Sequence, residues 1–388
     1  MFGRGNIFQT WEIFEQHHAK HGRTRTTSEQ SGYPQNDPGG GLSRKIIFHD
    51  DAFGEIISLE NLFLAWTEFR KGKRSKPDVQ AFELHLEDNI FALHEELKSG
   101  TYHHGGYHQF RISDPKPRLI SKASVRDRLL HHAIYRILYP AFDRTFIFDS
   151  YSCRKGRGTH KGFFRLAEMA RRVSRNYTSP CWALKLDIRK FFDSVDHEVL
   201  MKLLEMRIAD QWLLKLLEGI IFSFSVWIPG RARNDGGGKG MPLGNLTSQL
   251  FANIYLDPLD KFVKHELRAK CYLRYADDFM LLADNPSELM GYFVEVARFV
   301  KSVLKLQLHP DKLILRKLNW GIDFVGYNVL PHYSLPRRKT VKRIFRQIAR
   351  WGATGNKTAL AKAMPSYLGY LSHVRAYCVS QEVRDVYF

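Results

Sequence analysis

The chain has 388 residues, with 59 Lys and Arg against 40 Asp and Glu, a net charge of +19. Its length predicts more than one structural unit, and 44% apolar residues exclude a disordered chain. The positive excess calls for a polyanion, with nucleic acid ahead of an anionic membrane surface, for which no lipid-anchor signal or basic amphipathic N-terminal helix is present.

Residues 1–54 read as an N-terminal extension. Its first residues, MFGRGNIFQTWEIFEQ, lack the apolar run of a secretion signal, and GRTRTTSEQSGYPQNDPGGGLSRK (22–45), rich in Gly, Pro, Ser and Thr, predicts a flexible linker. From SLENLFLAWTEFRKGK onward the apolar spacing turns helical. AFELHLEDNIFALHEELKSG predicts a helix stopped by Gly. YHQFRISDPKPRLISKA predicts short strands and turns, and SVRDRLLHHAIYRILYPAF a helix. CWALKLDIRKFF predicts a buried strand, followed by a helix over DHEVLMKLLEMR. A long helix is expected over GNLTSQLFANIYLDPLDKFVKHEL, a hairpin over YLRYADDFMLLA, and a further helix over GYFVEVARFVKSVLKLQL. Residues 331–388 are expected to be helical and carry 11 Lys or Arg against 2 acids, a net charge of +9. No apolar run is long enough to span a membrane. Cys153, Cys181, Cys271 and Cys378 form no CxxC pair and read as reduced, buried thiols of a cytoplasmic protein.

Acids placed on apolar strands are the informative feature. Asp277 and Asp278 sit at a hairpin tip, and Asp187 ends the strand WALKLD. Burying three carboxylates without compensation is costly, and the cation suited to hard carboxylate oxygens is Mg²⁺, with Mn²⁺ as its substitute. Two such ions would clamp a triphosphate and activate a primer 3′-hydroxyl.

RYADDFMLL together with LKLDIRKFFDSVDH resembles the palm of reverse transcriptases, and further stretches follow in the family's order across roughly 110–375. These are KPRLISKASVRDRLLHHAI, SYSCRKGRGTHKGFFRL, GMPLGNLTSQLFANIYL, LQLHPDKLILRK, IDFVGYNVL and SYLGYLSHVRAY. The resemblance implies an α+β right-hand polymerase. Fingers would span 55–180, a palm with an antiparallel sheet and YADD hairpin 181–330 (with a fingers-associated insertion near 205–240), and a basic helical thumb 331–388. It implies that Asp187, Asp277 and Asp278 are the catalytic metal ligands, with the Ile188 backbone as a further ligand. Phe192 falls at the steric gate that favours deoxynucleotides. Lys116, Arg118 and Arg126 fall in the stretch that neutralises the dNTP triphosphate. Phe324, Val325, Gly326 and Tyr327 match the primer-grip hairpin, where Gly326 would allow close backbone approach. Lys312 would pair with the acids or the triphosphate.

One stretch departs from most of the family. LGNLTSQ has Leu243 and Gly244 where Gln-Gly is usual, and Gln249 where Pro follows Ser. This is similar to the reverse transcriptases of diversity-generating retroelements, which misincorporate opposite template adenines. Losing a polar contact of about 1–2 kcal/mol at position 243 would cost on the order of tenfold in selectivity. The resemblance implies a template-repeat RNA, an RNA–DNA hybrid and a small basic multimeric accessory protein as partners, in a bacterial, archaeal or phage-encoded system. The alternatives are a higher-fidelity group II intron-like or defence-associated enzyme, and a non-catalytic RNA-binding scaffold on a polymerase fold. A viral RNA polymerase is disfavoured by YADD and by an aromatic gate. GGGKG (236–240) lacks the spacing of a phosphate-binding P-loop, and the histidines lack partners at zinc-ligand spacing.

Overall fold

The computed structural model describes residues 46–48, 51–113, 117–224 and 238–385. The predicted linker at 22–45, Lys116 and the start of GGGKG lie outside the described residues.

Four short helices open the described chain: α1 (Ala52–Ile57), α2 (Leu59–Phe69), α3 (Pro77–Glu83) and α4 (Leu86–Lys98). The single helix expected over AFELHLEDNIFALHEELKSG is thus two, because His85 leaves helical geometry (φ −123°, ψ 47°). A ribbon follows, β1 (His108–Ile112) antiparallel to β2 (Arg118–Lys122). The helix α5 (Val125–Asp143) starts at Ser124, whose hydroxyl accepts the Asp127 N–H. Its Leu129, Leu130, Ala133, Ile134 and Leu138 are buried in the core shared with Leu62, Ala65, Trp66 and Phe69 of α2. Each buried leucine or isoleucine there is worth about 1.5–3 kcal/mol.

The central sheet is built from β3 (Trp182–Asp187), β4 (Cys271–Tyr275), β5 (Asp278–Ala283) and β6 (Ile314–Lys317) in the order β4-β5-β3-β6, every pair antiparallel. The period-two alternation sorts its side chains between two cores. Leu184, Leu186, Tyr272, Phe279 and Leu281 enter the larger core. There they meet α7 (Phe191–Ser194), α8 (His197–Glu205), α9 (Gln211–Phe222), α10 (Leu246–Lys261) and α11 (Pro286–Ser302). Ala183, Leu273, Met280 and Leu282 enter a second core with α6 (Thr159–Val173). The helix expected over GNLTSQLFANIYLDPLDKFVKHEL begins at Leu246 and ends in a π-turn, Phe262–Glu266.

A three-stranded sheet, β7 (Ile322–Phe324), β8 (Tyr327–Leu330) and β9 (Tyr333–Pro336), closes the second core. The 331–388 segment is therefore not wholly helical: Tyr333–Pro336 pairs with β8 before the helices begin. Then α12 (Arg338–Ala353), α13 (Lys357–Leu371) and α14 (Tyr377–Asp385) bury Ile344, Ile348, Met364, Leu371 and Val383 in a core of their own. All four cysteines are free, but only Cys181 and Cys271 are buried; Cys153 and Cys378 are exposed, which corrects the reading of four buried thiols. No helix among the described residues is long and apolar enough to cross a membrane.

Candidate active site

The sheet brings the three acids to one end. Asp187, the last residue of β3, lies directly opposite Asp278, the first of β5. Asp277 occupies the two-residue turn between β4 and β5, and its carbonyl accepts the Ile188 N–H at 3.3 Å. Ala276, the other turn residue, has φ 55°, where an L-residue is strained. Strain of this kind persists where surrounding structure over-determines the backbone.

Burial pushes the Asp278 carboxyl up to about 6, against the pull of Lys185 and aided by Asp187 and Asp277. Burial also raises Asp277, with Asp187 adding to the effect and Lys312 and Arg118 opposing it. Two lysines neutralise the cluster: Lys312 Nζ is 2.6 Å from Asp187, and Lys185 Nζ is 3.4 Å from Asp278. Among the described residues no three His, Cys, Asp or Glu side chains stand at ready metal-ligand spacing. The donor chemistry nonetheless fits a hard divalent cation. The donors are all carboxylate oxygens, and they are held close enough to oppose each other's ionisation. Binding a cation would relieve the same repulsion the lysines now relieve.

The turn itself is held by a residue that sequence reading passed over. Arg274 of β4 is fully buried and forms a bidentate pair with buried Asp260, with Nε at 2.8 Å and Nη2 at 2.7 Å. Its Nη1 donates to the Ala276 carbonyl and to Asn253 Oδ1, each at 3.1 Å. Tyr272 also donates to Asp260, at 2.6 Å. Outside the edge strand, Arg274 exchanges backbone bonds with Asp149 and Tyr151, which anchors the segment leading into RKGRG. An arginine within YLRYADD was the available signal, but its partner lies 14 residues upstream on α10, and no local pattern announces it.

The remaining sequence-derived residues fall in three groups. Phe192 is half-buried beside Phe191, and its carbonyl accepts the Met241 N–H at 2.7 Å. The Leu243 carbonyl accepts the Ser121 N–H at 2.9 Å, joining the LGN loop to β2 and so to Arg118, which is exposed. Gly244 has φ 126°, and a Cβ there would meet Ile120 at 3.2 Å, so both conformation and space select glycine. Gln249 is exposed on α10. Arg126, by contrast, is taken up by Glu96 and by the Tyr102 ring 4.8 Å away, which gives it an internal packing role.

The IDFVGYNVL hairpin needs the largest revision. Phe324 and Tyr327 are fully buried, so their side chains support the hairpin and only Val325 and Gly326 form its tip. Both tip residues have positive φ, 42° and 100°, as a two-residue hairpin turn of this kind requires. A Cβ on Gly326 would find ordinary contact with Tyr370 at 3.6 Å, so its role is the turn conformation rather than close approach. The Gly326 carbonyl accepts the Tyr370 hydroxyl at 2.5 Å and the Arg337 N–H at 2.9 Å, which ties the tip to α13 and to the N-cap of α12.

Residues 112–329, more than half of the chain, match the family profile for reverse transcriptase (RNA-dependent DNA polymerase). The chain belongs to the reverse transcriptase family. This reverse transcriptase is 26% identical over 272 residues to Protein YkfC of Escherichia coli (strain K12), an alignment covering 61% of this chain and 70% of that protein. It is 23% identical over 324 residues to the group II intron-encoded protein LtrA of Lactococcus lactis subsp. cremoris, covering 66% of this chain and 51% of LtrA. Similarity to a putative COX1/OXI3 intron 2 protein of Saccharomyces cerevisiae is 21% over 279 residues, 56% of this chain and 32% of that protein. The chain thus spans about half or less of the two intron proteins. It is related to group II intron proteins, and its enzyme class is RNA-directed DNA polymerase.

Proposed function

We propose that this reverse transcriptase makes adenine-mutagenised cDNA from a template-repeat RNA, as the polymerase of a diversity-generating retroelement. The observation that carries this reading is the LGNLTSQ loop. Leu243 is half-buried, its carbonyl is already used by Ser121, and its side chain has no polar atom to offer a nucleotide. A small basic multimeric accessory protein is the expected partner, alongside the template RNA and the growing RNA–DNA hybrid. We assign fingers to 55–180, palm to 181–330 and thumb to 331–388, with α12 presenting Arg338, Lys339, Lys342, Arg346 and Arg350 toward the nucleic acid.

In this assignment Asp187, Asp277 and Asp278, with the Ile188 backbone, hold Mg²⁺ or Mn²⁺, which supplies Lewis-acid activation and charge neutralisation when bound. The chain's own groups do the rest. Lys312 and Arg118 offset the charge of the triphosphate and hold it against the carboxylates. Phe192 crowds a ribose 2′-hydroxyl and so favours dNTPs. The Val325–Gly326 tip supports the primer end.

Two experiments test the reading. Asp187→Ala or Asp277→Ala abolishes magnesium-dependent primer extension while RNA binding persists; extension by either variant refutes the catalytic assignment. Sequencing cDNA made on a defined RNA template should give errors concentrated opposite adenine, and Leu243→Gln should lower them. A uniform low error rate would instead identify a higher-fidelity, group II intron-like enzyme.

A further inference from the structure

A chain of polar contacts, buried at its inner end, runs from the loop before β1 to the first turn of α10, and the proposed function does not use it. His104 Nδ1 lies 2.7 Å from its neighbour's carbonyl, that of Gly105. His104 Nε2 faces His131 Nε2 at 3.2 Å, and His131 Nδ1 faces the Thr247 hydroxyl at 2.7 Å. His131 and Thr247 are both buried. With both imidazoles neutral, the contacts to Gly105, His131 and Thr247 admit one assignment of the ring protons, the longer 3.4 Å approach of the Tyr107 hydroxyl to His104 Nε2 left aside. The Gly105 carbonyl can only accept, so His104 carries its proton on Nδ1 and accepts at Nε2. His131 therefore donates from Nε2, leaving Nδ1 to accept from Thr247. Complete burial supports a neutral ring, holding His131 down at about 3.

The contact matters because the start of α10 has few other anchors. Asn245 stands at the N-cap position, yet its side chain makes no capping bond. Its amide is buried, with neither polar atom partnered among the described residues. The loop is otherwise held in front by Met241 on Phe192 and in the middle by Leu243 on Ser121. Thr247, four residues beyond Leu243, is the clamp at the rear.

We propose that His131 is a positioning residue for polymerisation, fixing the nucleotide-side loop 243–247 through its hydrogen bond with Thr247. This rests on the reading that the LGN loop borders the incoming nucleotide. Val replaces Thr with nearly the same shape and no hydroxyl, whereas Ser keeps the hydroxyl.

The test is steady-state primer extension by Thr247→Val, Thr247→Ser and, separately, Leu243→Gln, with thermal melting of each. Thr247→Val should raise KM for dNTP about five- to tenfold, the scale of one lost hydrogen bond, with kcat within twofold. Thr247→Ser should recover most of that loss. If Thr247→Val leaves KM unchanged, or if the two substitutions shift it equally, the proposal is overturned. If kcat and melting temperature fall together while KM stays put, the bond is merely structural and the proposal is likewise overturned. Leu243→Gln separates the two levels: a changed dNTP KM or error spectrum there keeps the loop at the nucleotide even when Thr247→Val fails.

Discussion

Replacing Arg274 by Met tests how the catalytic turn is held. The guanidinium and the Asp260 carboxylate are both wholly buried and make a bidentate pair, and Arg274 also donates to Asn253 and to the Ala276 carbonyl. Arg274→Met leaves the Asp260 carboxyl in the core without its guanidinium partner, with the Tyr272 hydroxyl as its remaining side-chain donor among these. Removing one partner of a buried pair costs about 3–5 kcal/mol. The double variant Arg274→Met with Asp260→Leu removes the stranded carboxyl and should recover most of that stability, because a well-packed apolar pair is often as stable as a buried ion pair. Activity should not recover with it, since Ala276 still lacks its donor and Asp277 loses its fixed position. Urea denaturation followed by tryptophan fluorescence reads the first effect, and magnesium-dependent primer extension reads the second. A single variant that loses under about 1 kcal/mol refutes the argument. So does a double variant no more stable than the single.

Other outcomes follow from the buried acids. Burial raises the Asp257 carboxyl to about 6 despite its pairing with Lys261. Its neutral form therefore favours folding below the ordinary carboxylate value, and that contribution is lost as pH rises through about 6. Asp257→Asn should stabilise the protein by about 1–3 kcal/mol at pH 7.5 and by almost nothing at pH 4, read from paired urea titrations. At subsaturating Mg²⁺, extension should rise with pH through about 6 as Asp278 ionises, and the midpoint should fall as Mg²⁺ is raised. Lys185→Met removes the cation 3.4 Å from Asp278 and should move that midpoint upward; a downward move contradicts the pairing.

The local sequence carried much of the architecture because strands and helices are periodic. The apolar residues around Lys185 in WALKLD and the continuous apolar run FMLLA are enough to predict β3 and β5, and acids at their ends are enough to predict a charged site. Helix breaks were less legible: His85 leaves helical geometry within an apolar pattern that continues through it. The hairpin residues Phe324 and Tyr327 were recognisable as a group, but which of them face solvent depends on the core closed over them by α6 and α13.

By itself, then, the sequence determined the class of chemistry: a basic chain with carboxylates at the ends of apolar strands and a nonpolar residue in the LGN loop. Only the tertiary structure decided how those carboxylates are held. Lys312 meets Asp187 across 125 residues of chain, and Thr247 meets His131 across 116. Such partners share no spacing rule. Their contacts exist because burial makes an unpaired charge or hydroxyl expensive, so the fold must bring each one a partner from wherever the chain passes.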